Sequence, residues 1–332
     1  MSRRLGLLVI ILALGTAYLC GCSKRNEAPS GPTIYISGSF NKQHSCYWKN
    51  GQLVTWTSIG SSSAAKIGVS GTDVITAGYD VVPNNQGSPA LQMVATYWKN
   101  NIETNLTNAT IFSNILGMWL DGSDIYLSGQ SNGLAVYWKN GSLVVLDNQY
   151  GSVAGIAVSN GKVYAAGLSS AGTSYWIDGV AHDYPTAVNN VEFRALCVID
   201  TSLYLAGSYM TQGNSVSQAA YWHAGVQTLL TDDSHIGYAT GITVVGNDVY
   251  VAGVQTNQNA QFQLLTLMYW KNGTPFILTP TPTTGSYTTD IVVYNGDVYV
   301  AGTYSGNAVY WKNGVMYPLS DNSDVGGMFI TH

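Results

Sequence analysis

Seven times this chain writes an aromatic pair followed by a polar turn. No other feature of the sequence limits its fold as tightly. The unit is Tyr47-Trp48-Lys49-Asn50-Gly51, and it returns at Tyr97-Trp98, Tyr137-Trp138, Tyr175-Trp176, Tyr221-Trp222, Tyr269-Trp270 and Tyr310-Trp311. The steps between the tyrosines are 50, 40, 38, 46, 48 and 41 residues. A period in the forties, assembled from strand-like pieces, is the mark of propeller blades, each a sheet of four strands spanning roughly 40–50 residues.

One repeat reads cleanly through residues 240–278. Gly241-Ile242-Thr243-Val244-Val245 is a β-branched strand A, Gly246-Asn247-Asp248 a turn, and Val249-Tyr250-Val251-Ala252-Gly253 strand B. A polar loop leads to strand C, which ends in Tyr269-Trp270. Lys271-Asn272-Gly273 then turns the chain into strand D. Asn-Gly supplies the two positive-φ residues of a tight type I′ hairpin, which is why the turn recurs with the aromatic pair. Strand B is expected at 33–38, 74–78, 125–129, 163–167, 203–207, 249–253 and 298–302, ending in glycine each time, and six of the seven carry a tyrosine. The aromatic residues of the repeat are therefore expected to pack blade on blade rather than to serve as ligand platforms.

The two ends complement each other. The first repeat opens at strand B, with Thr33-Ile34-Tyr35-Ile36-Ser37-Gly38, and has no strand A before it. The last seven residues, 326–332, read as a strand A with no strand B after it. A blade short of one strand leaves an unpaired edge and an open ring. The reading is thus an all-β, seven-bladed propeller of four-stranded antiparallel blades over residues 33–332, closed by the C-terminal strand, which completes the first blade.

The N-terminus suggests a compartment. Arg3 and Arg4 precede an apolar run of 15 residues, 5–19, too short for a membrane span of about 20. Leu19-Cys20-Gly21-Cys22 follows and resembles a bacterial lipobox, which makes Cys22 the expected lipidation site. Residues 1–21 are read as a lipoprotein signal peptide and 22–32 as a flexible tether. The protein is then expected in the bacterial cell envelope, lipid-anchored, with Ser23 favouring the outer membrane. Cleavage takes Arg3 and Arg4 from the 13 basic residues and leaves 11 against 18 acidic. With no Lys/Arg cluster, nucleic acid is not an expected partner. Charged residues are only 9% of the chain, so its surface is built from Ser, Thr, Asn, Gln and Gly. Cys46 and Cys197 fall in strands of different repeats and are read as free thiols.

The unit resembles the bacterial extracellular repeats of the HAF type, in which an aromatic-Trp-x-Asn-Gly hairpin accompanies a small-apolar strand ending in glycine. Ala308-Val309-Tyr310-Trp311-Lys312-Asn313-Gly314, Leu319 and residues 298–302 carry the match. The period is also similar to that of kelch and WD-repeat propellers, without the Gly-Gly of the one or the Trp-Asp of the other. The resemblance implies architecture and carries no site residues with it.

Strand order sorts the loops by face. A–B and C–D turns share one face; B–C and D–A connections share the other. The turn face is uniform, with Asp73, Asp124, Asp248 and Asp297 at A–B and Lys49, Lys99, Lys139, Lys271 and Lys312 at C–D, lysines read as a solvated rim. Variation gathers on the loop face, in the B–C loops 79–92, 209–217 and 254–263 and the D–A loops 231–238 and 279–287. Six tyrosines outside the repeat pattern map there: Tyr79, Tyr150, Tyr209, Tyr238, Tyr287 and Tyr304. Aligning the A strands puts Lys66, Arg194 and Asp290 near the channel mouth on the same side. The candidate ligand contacts are therefore Tyr79, Tyr209, Tyr238, Lys66, Arg194 and Asp290.

Signals for catalysis are thin. The five histidines show no metal-ligand spacing, and Asp232-Asp233-Ser234-His235 is the one compact acid–His cluster. Asp121-Gly122-Ser123-Asp124 and Asp321-Asn322-Ser323-Asp324 are too short for an EF-hand loop. No cofactor and no metal is expected. The favoured reading is a non-enzymatic, membrane-tethered binding or scaffold propeller, monomeric, with a glycan or protein partner on its loop face. The alternative is a polysaccharide hydrolase or lyase whose carboxylates converge at the channel mouth.

Overall fold

A computed structural model describes residues 31–58, 60–84, 90–183, 189–211, 216–257, 264–279 and 281–332. The expected signal peptide, Cys22 and nearly all of the tether lie outside the described residues, as do parts of the three long B–C loops. Residues 32–332 form one compact unit.

The strands assemble into seven four-stranded antiparallel sheets. In the sixth blade, strands His235–Val245, Asp248–Asn257, Thr266–Lys271 and Thr274–Ile277 pair in sequence order, and the second to seventh blades all follow this meander. The first blade is composite. Its strands Thr33–Phe40, His44–Lys49 and Gln52–Thr55 receive Asp324–Thr331 as strand A. Thr331 lies opposite Thr33, Phe329 opposite Tyr35 and Met328 opposite Ile36. The closing strand begins two residues earlier than the sequence suggests and leaves His332 outside it.

Each repeat element has a physical task. In the turn after strand C, Asn140 and Gly141 take φ of 50° and 84°, the left-handed pair that a type I′ turn requires. The asparagine also reaches back across the hairpin. Asn140 Oδ1 accepts from the Ile125 amide at 2.8 Å, and its Nδ2 donates to Asp124 Oδ1 at 2.8 Å. Lys139 Nζ meets the other oxygen of Asp124 at 3.0 Å. The same clasp joins Lys99, Asn100 and Asp73, Lys271, Asn272 and Asp248, and Lys312, Asn313 and Asp297. Four of the five lysines read as a solvated rim are thus ion-paired, each tying the C–D turn to the start of its own strand B. Lysine and asparagine donors hold Asp73, Asp248 and Asp297 below the usual carboxylate range; at Asp124 the asparagine contributes most.

The tryptophans hold blade to blade. Trp48, Trp98, Trp138, Trp176, Trp222, Trp270 and Trp311 are all at most 2% exposed. Trp138 shares a cluster with Ala77 and Ala95 of the preceding blade, Trp270 with Ala206 and Ala219, and Trp48 with Tyr299, Ala301 and Ala308 of the seventh. Burying one such ring contributes on the order of 4–6 kcal/mol of transfer free energy. The pair's tyrosine also packs blade on blade, toward the next blade: Tyr269 joins the cluster of Ile291 and Val300 in the seventh, and Tyr310 that of Ile36 and Trp48 in the first. Tyr269 stacks on Phe276 at 4.8 Å and Tyr310 on Tyr317 at 4.9 Å, each across to strand D of its own blade. Successive residues of a strand face opposite ways, so the tryptophan meets the preceding blade and the tyrosine the next.

A bulge interrupts the A–B pairing in all seven blades, opposite the glycine that ends the strand-B motif: at Ala64/Lys66, Ile115/Gly117, Val153/Gly155, Phe193/Ala195, Ala239/Gly241, Thr288/Asp290 and Ile36/Gly38. A Cβ on Gly253 would overlap the Tyr238 carbonyl and stand 2.9 Å from the Trp270 ring. Cys46 is buried and Cys197 half-buried, both free, and burial pushes both thiols up.

Deleting residues 326–332 removes most of the ladder that closes the first blade. The truncated protein is expected to aggregate or melt well below the full chain. A calorimetric scan in which the two melt together would show that this strand does not hold the ring closed.

Candidate functional site

The seven A strands line a central cavity of about 570 Å³, to which every blade contributes. Each A strand begins at the loop face and ends at the turn face, so residue number along it measures depth. At the deep end lie Val69, Gly71, Trp119, Leu120 and Gly122. At the loop end lie Lys66, Arg194, Thr240 and Asp290, and Lys66, Arg194 and Asp290 are the ionisable side chains among the lining residues. The cavity's lining is thus mostly apolar toward the turn face and charged toward the loop face.

The bulge decides how these three groups are presented. Lys66 and Asp290 follow the bulge and pair with Ala77 and Ala301, at equivalent positions of the second and seventh blades. Arg194 is itself the bulge residue, between Phe193 and Ala195, one step earlier than the sequence alignment places it. Its guanidinium pairs with Glu192 at 2.9 Å and lies 5.0 Å from the centre of the Tyr238 ring. Asp290 is engaged by backbone: Oδ1 accepts from the Ile291 amide at 2.9 Å and Oδ2 from the Met328 amide at 3.1 Å. Met328 belongs to the closing strand, so Asp290 ties the seventh blade to the first. Lys66 has no ion pair among the described residues.

A second cavity, of about 370 Å³, opens beside Lys66 on the loop face. Tyr79, Ser39, Lys42, Ser63, Tyr287, Thr289 and Asp324 are among its lining residues, so Lys66 and Tyr79 do come together. Lys42 Nζ stands 3.9 Å from Asp324. Burial raises the phenol of Tyr287, which hydrogen-bonds Thr303 and Asp324. Tyr238 sits under Arg194 and packs on the cluster of the sixth and seventh blades. Tyr209 packs on the cluster of Phe193, Leu205, Trp222 and Ala166 between the fourth and fifth blades, so of the three candidate tyrosines only Tyr79 lines this mouth.

Sequence reasoning missed several of these lining residues. Trp119 is 36% exposed in the cavity, and as one of the tryptophans outside the Tyr-Trp pairs it carried a usable signal. Lys42 and Asp324 flank the composite first blade, where repeat alignment has least to compare. Two serine motifs resolve into turns. Asp232 Oδ1 accepts from the Ser234 amide at 2.9 Å and contacts His235 Nδ1 at 2.7 Å, while Ser234 Oγ meets that same nitrogen at 2.9 Å. A catalytic triad needs serine and carboxylate on opposite imidazole nitrogens, so this is a capped turn. Gly129-Gln130-Ser131-Asn132-Gly133, passed over in the sequence reading, has the spacing of a nucleophile elbow. It forms a hairpin, with Asn132 and Gly133 at φ of 52° and 78° and Ser131 buried, not the strand-to-helix turn that exposes a nucleophile.

The fold and its cavities define a seven-bladed β-propeller. No protein-family model matches the chain, and no curated protein sequence does. Among solved structures it is similar to the β-propeller domain of the Trilobed protease from Pyrococcus furiosus, at 12% identity and a TM-score of 0.49, over 78% of this chain and 83% of that one.

Next to Tyr79, and facing the opposite way, Asp80 is 1% exposed. Its Oδ1 accepts from the Val81 amide at 2.8 Å, and its Oδ2 has no partner among the described residues. Burial, reinforced by the charge of Glu103 and opposed by that amide, pushes the carboxyl up to about 6. A carboxyl raised in the fold favours folding fully below its unfolded value of 3.8, and the contribution fades as pH rises through about 6. Asp80→Asn is therefore expected to raise the melting temperature over wild type at pH 7 and to change it much less at pH 4. Equal offsets at the two pH values would mean that Asp80 does not titrate in this way.

Proposed function

We propose that this protein is a non-enzymatic binding or scaffold propeller, held at the bacterial envelope through a lipid on Cys22, with its partner, a glycan or a protein, on the loop face. One observation carries the reading: charged side chains that the repeat does not require gather at the loop end of the central cavity, and Tyr79 and Tyr287 line the adjoining cavity that shares Lys66. The turn face, by contrast, uses its charges on itself, in four Lys–Asp clasps. Arg194 over Tyr238, and Tyr79 beside Lys66, offer flat apolar faces next to polar heads, a combination that suits sugar rings and protein hot spots. The tether is inferred from Leu19-Cys20-Gly21-Cys22, and the kinship with HAF-type repeats rests on the recurring hairpin.

The carboxylates at the mouth weigh against the hydrolytic alternative. Asp290 is occupied by two backbone amides and Glu192 by Arg194. A general acid and its partner need oxygens free to meet the scissile bond.

A glycan array and an envelope pull-down with the purified protein provide the test. For a partner so found, Tyr79→Ala and Arg194→Gln are each expected to weaken binding about tenfold, equivalent to ~1.4 kcal/mol. Lys139→Ser with Lys312→Ser is expected to leave it unchanged. Loss of binding in the lysine variant alone would move the site to the turn face and end this assignment.

A further inference from the structure

Resting on that reading, the geometry points to a carboxylated sugar as the ligand, with Lys66 as its counter-ion at the place where the two cavities meet. Lys66 lines both, the central one of about 570 Å³ and the mouth of about 370 Å³. Three cations and three anions stand around this end of the ring, yet they are not equally committed. Glu192 is held by Arg194, Asp290 by the amides of Ile291 and Met328, and Asp324 by Tyr287 with Lys42 at 3.9 Å. Lys66 alone of the six has no hydrogen bond or ion pair among the described residues. Lys66 is half-buried as a residue, and its ammonium is left to water or to an anion from solution.

Local packing aims this lysine. The closing strand passes close to the second blade through Gly326 and Gly327, and a Cβ on Gly327 would lie 3.4 Å from Lys66 Cδ. The stem of Lys66 therefore runs along a strand that offers no side chain to push it aside.

The surroundings choose among anions. Hydroxyl side chains are frequent in the mouth, where Ser39, Ser63, Thr289, Tyr79 and Tyr287 line the same cavity as Lys66. Hydroxyls both donate and accept, and so match the alternating donors and acceptors of a sugar ring. A uronic acid presents such a ring with one carboxylate, complementary to one lysine among several hydroxyls. A phosphate would be better served by an arginine fork, and the guanidinium of Arg194 is already paired with Glu192.

Titration calorimetry of the purified protein with tetragalacturonate, and with neutral maltotetraose of equal length, tests the inference. Tetragalacturonate is expected to bind, with an affinity that falls as salt rises, and maltotetraose to bind at least tenfold more weakly. Lys66→Gln should weaken tetragalacturonate binding about tenfold and Lys66→Arg should restore part of it. Lys162→Gln, on the turn face, should have no effect. If Lys66→Gln does not fold, Lys42→Gln gives the same reading from the exposed rim, with a smaller loss expected. Equal binding of the two sugars would overturn the carboxylate assignment while leaving a binding propeller standing. Equal competition by tetra-aspartate would overturn the sugar assignment. Failure of tetragalacturonate to bind at millimolar concentration would overturn the inference as a whole, and the tyrosine and arginine variants would then judge the broader reading on their own.

Discussion

Everything in this ring depends on how closely strands A and B approach where strand B ends its motif in glycine. There the A strand bulges, its carbonyl turns into the space a Cβ would take, and the strand-C tryptophan closes over the same spot. Gly253 shows the arrangement with Tyr238 and Trp270, and Gly38 shows it with Asp324 and Trp48 across the join between the chain's two ends. A bulge bends and twists the strand that carries it. Repeated once per blade, it re-aims the innermost strand. The tryptophan it accommodates lies against the small residues of the preceding blade. Curvature and blade-to-blade adhesion thus come from one local constraint, met seven times.

The same constraint shapes the site. Because each bulge lies toward the loop end of its A strand, bulge residues and those just after them ring the mouth of the central cavity. In three blades both are small, at Gly326-Gly327, Ala154-Gly155 and Thr240-Gly241, and the A strands pack tightly: a Cβ on Gly241 would stand 3.1 Å from the backbone of Asp290. Three blades put a charged side chain there instead. Asp290 spends its charge on the ring itself, gripping the Met328 amide of the closing strand, and Arg194 spends its charge on Glu192. Lys66 keeps its charge. One set of equivalent positions therefore supplies both a structural bond across the seam and a free cation beside a hydroxyl-rich mouth.

Much of this architecture is legible in the sequence, because each repeat writes its hydrogen-bonding requirements openly. Asn140-Gly141 announces a type I′ turn, and the unpaired strand signals at Thr33 and at Met328 announce the closure. The clasp from Lys139 and Asn140 to Asp124 was visible only in parts, since its members are some 15 residues apart and meet only when strand B has paired with strand C. The bulge left no mark of its own in the sequence. Its effect is a shift of one residue, enough to place Arg194 a step away from Lys66 and Asp290 in the strand register. Burial was also harder to read than type. Tyr79 stands one residue after its strand-B glycine and Tyr209 two, so they face opposite ways: Tyr79 lines the mouth, and Tyr209 packs on the cluster between the fourth and fifth blades.

The account stands or falls on the strand-B glycine, and paired alanine substitutions measure it directly. At Gly253 an added methyl meets a backbone carbonyl and the Trp270 ring, neither of which can yield without breaking the blade. At Gly155, also on a strand, the nearest atoms are at 3.4 Å, ordinary van der Waals contact with Leu196. Denaturant unfolding should therefore find Gly253→Ala destabilised by several kcal/mol, or unable to fold, and Gly155→Ala close to wild type. Equal stability of the two variants would contradict the claim that this close approach holds the propeller together.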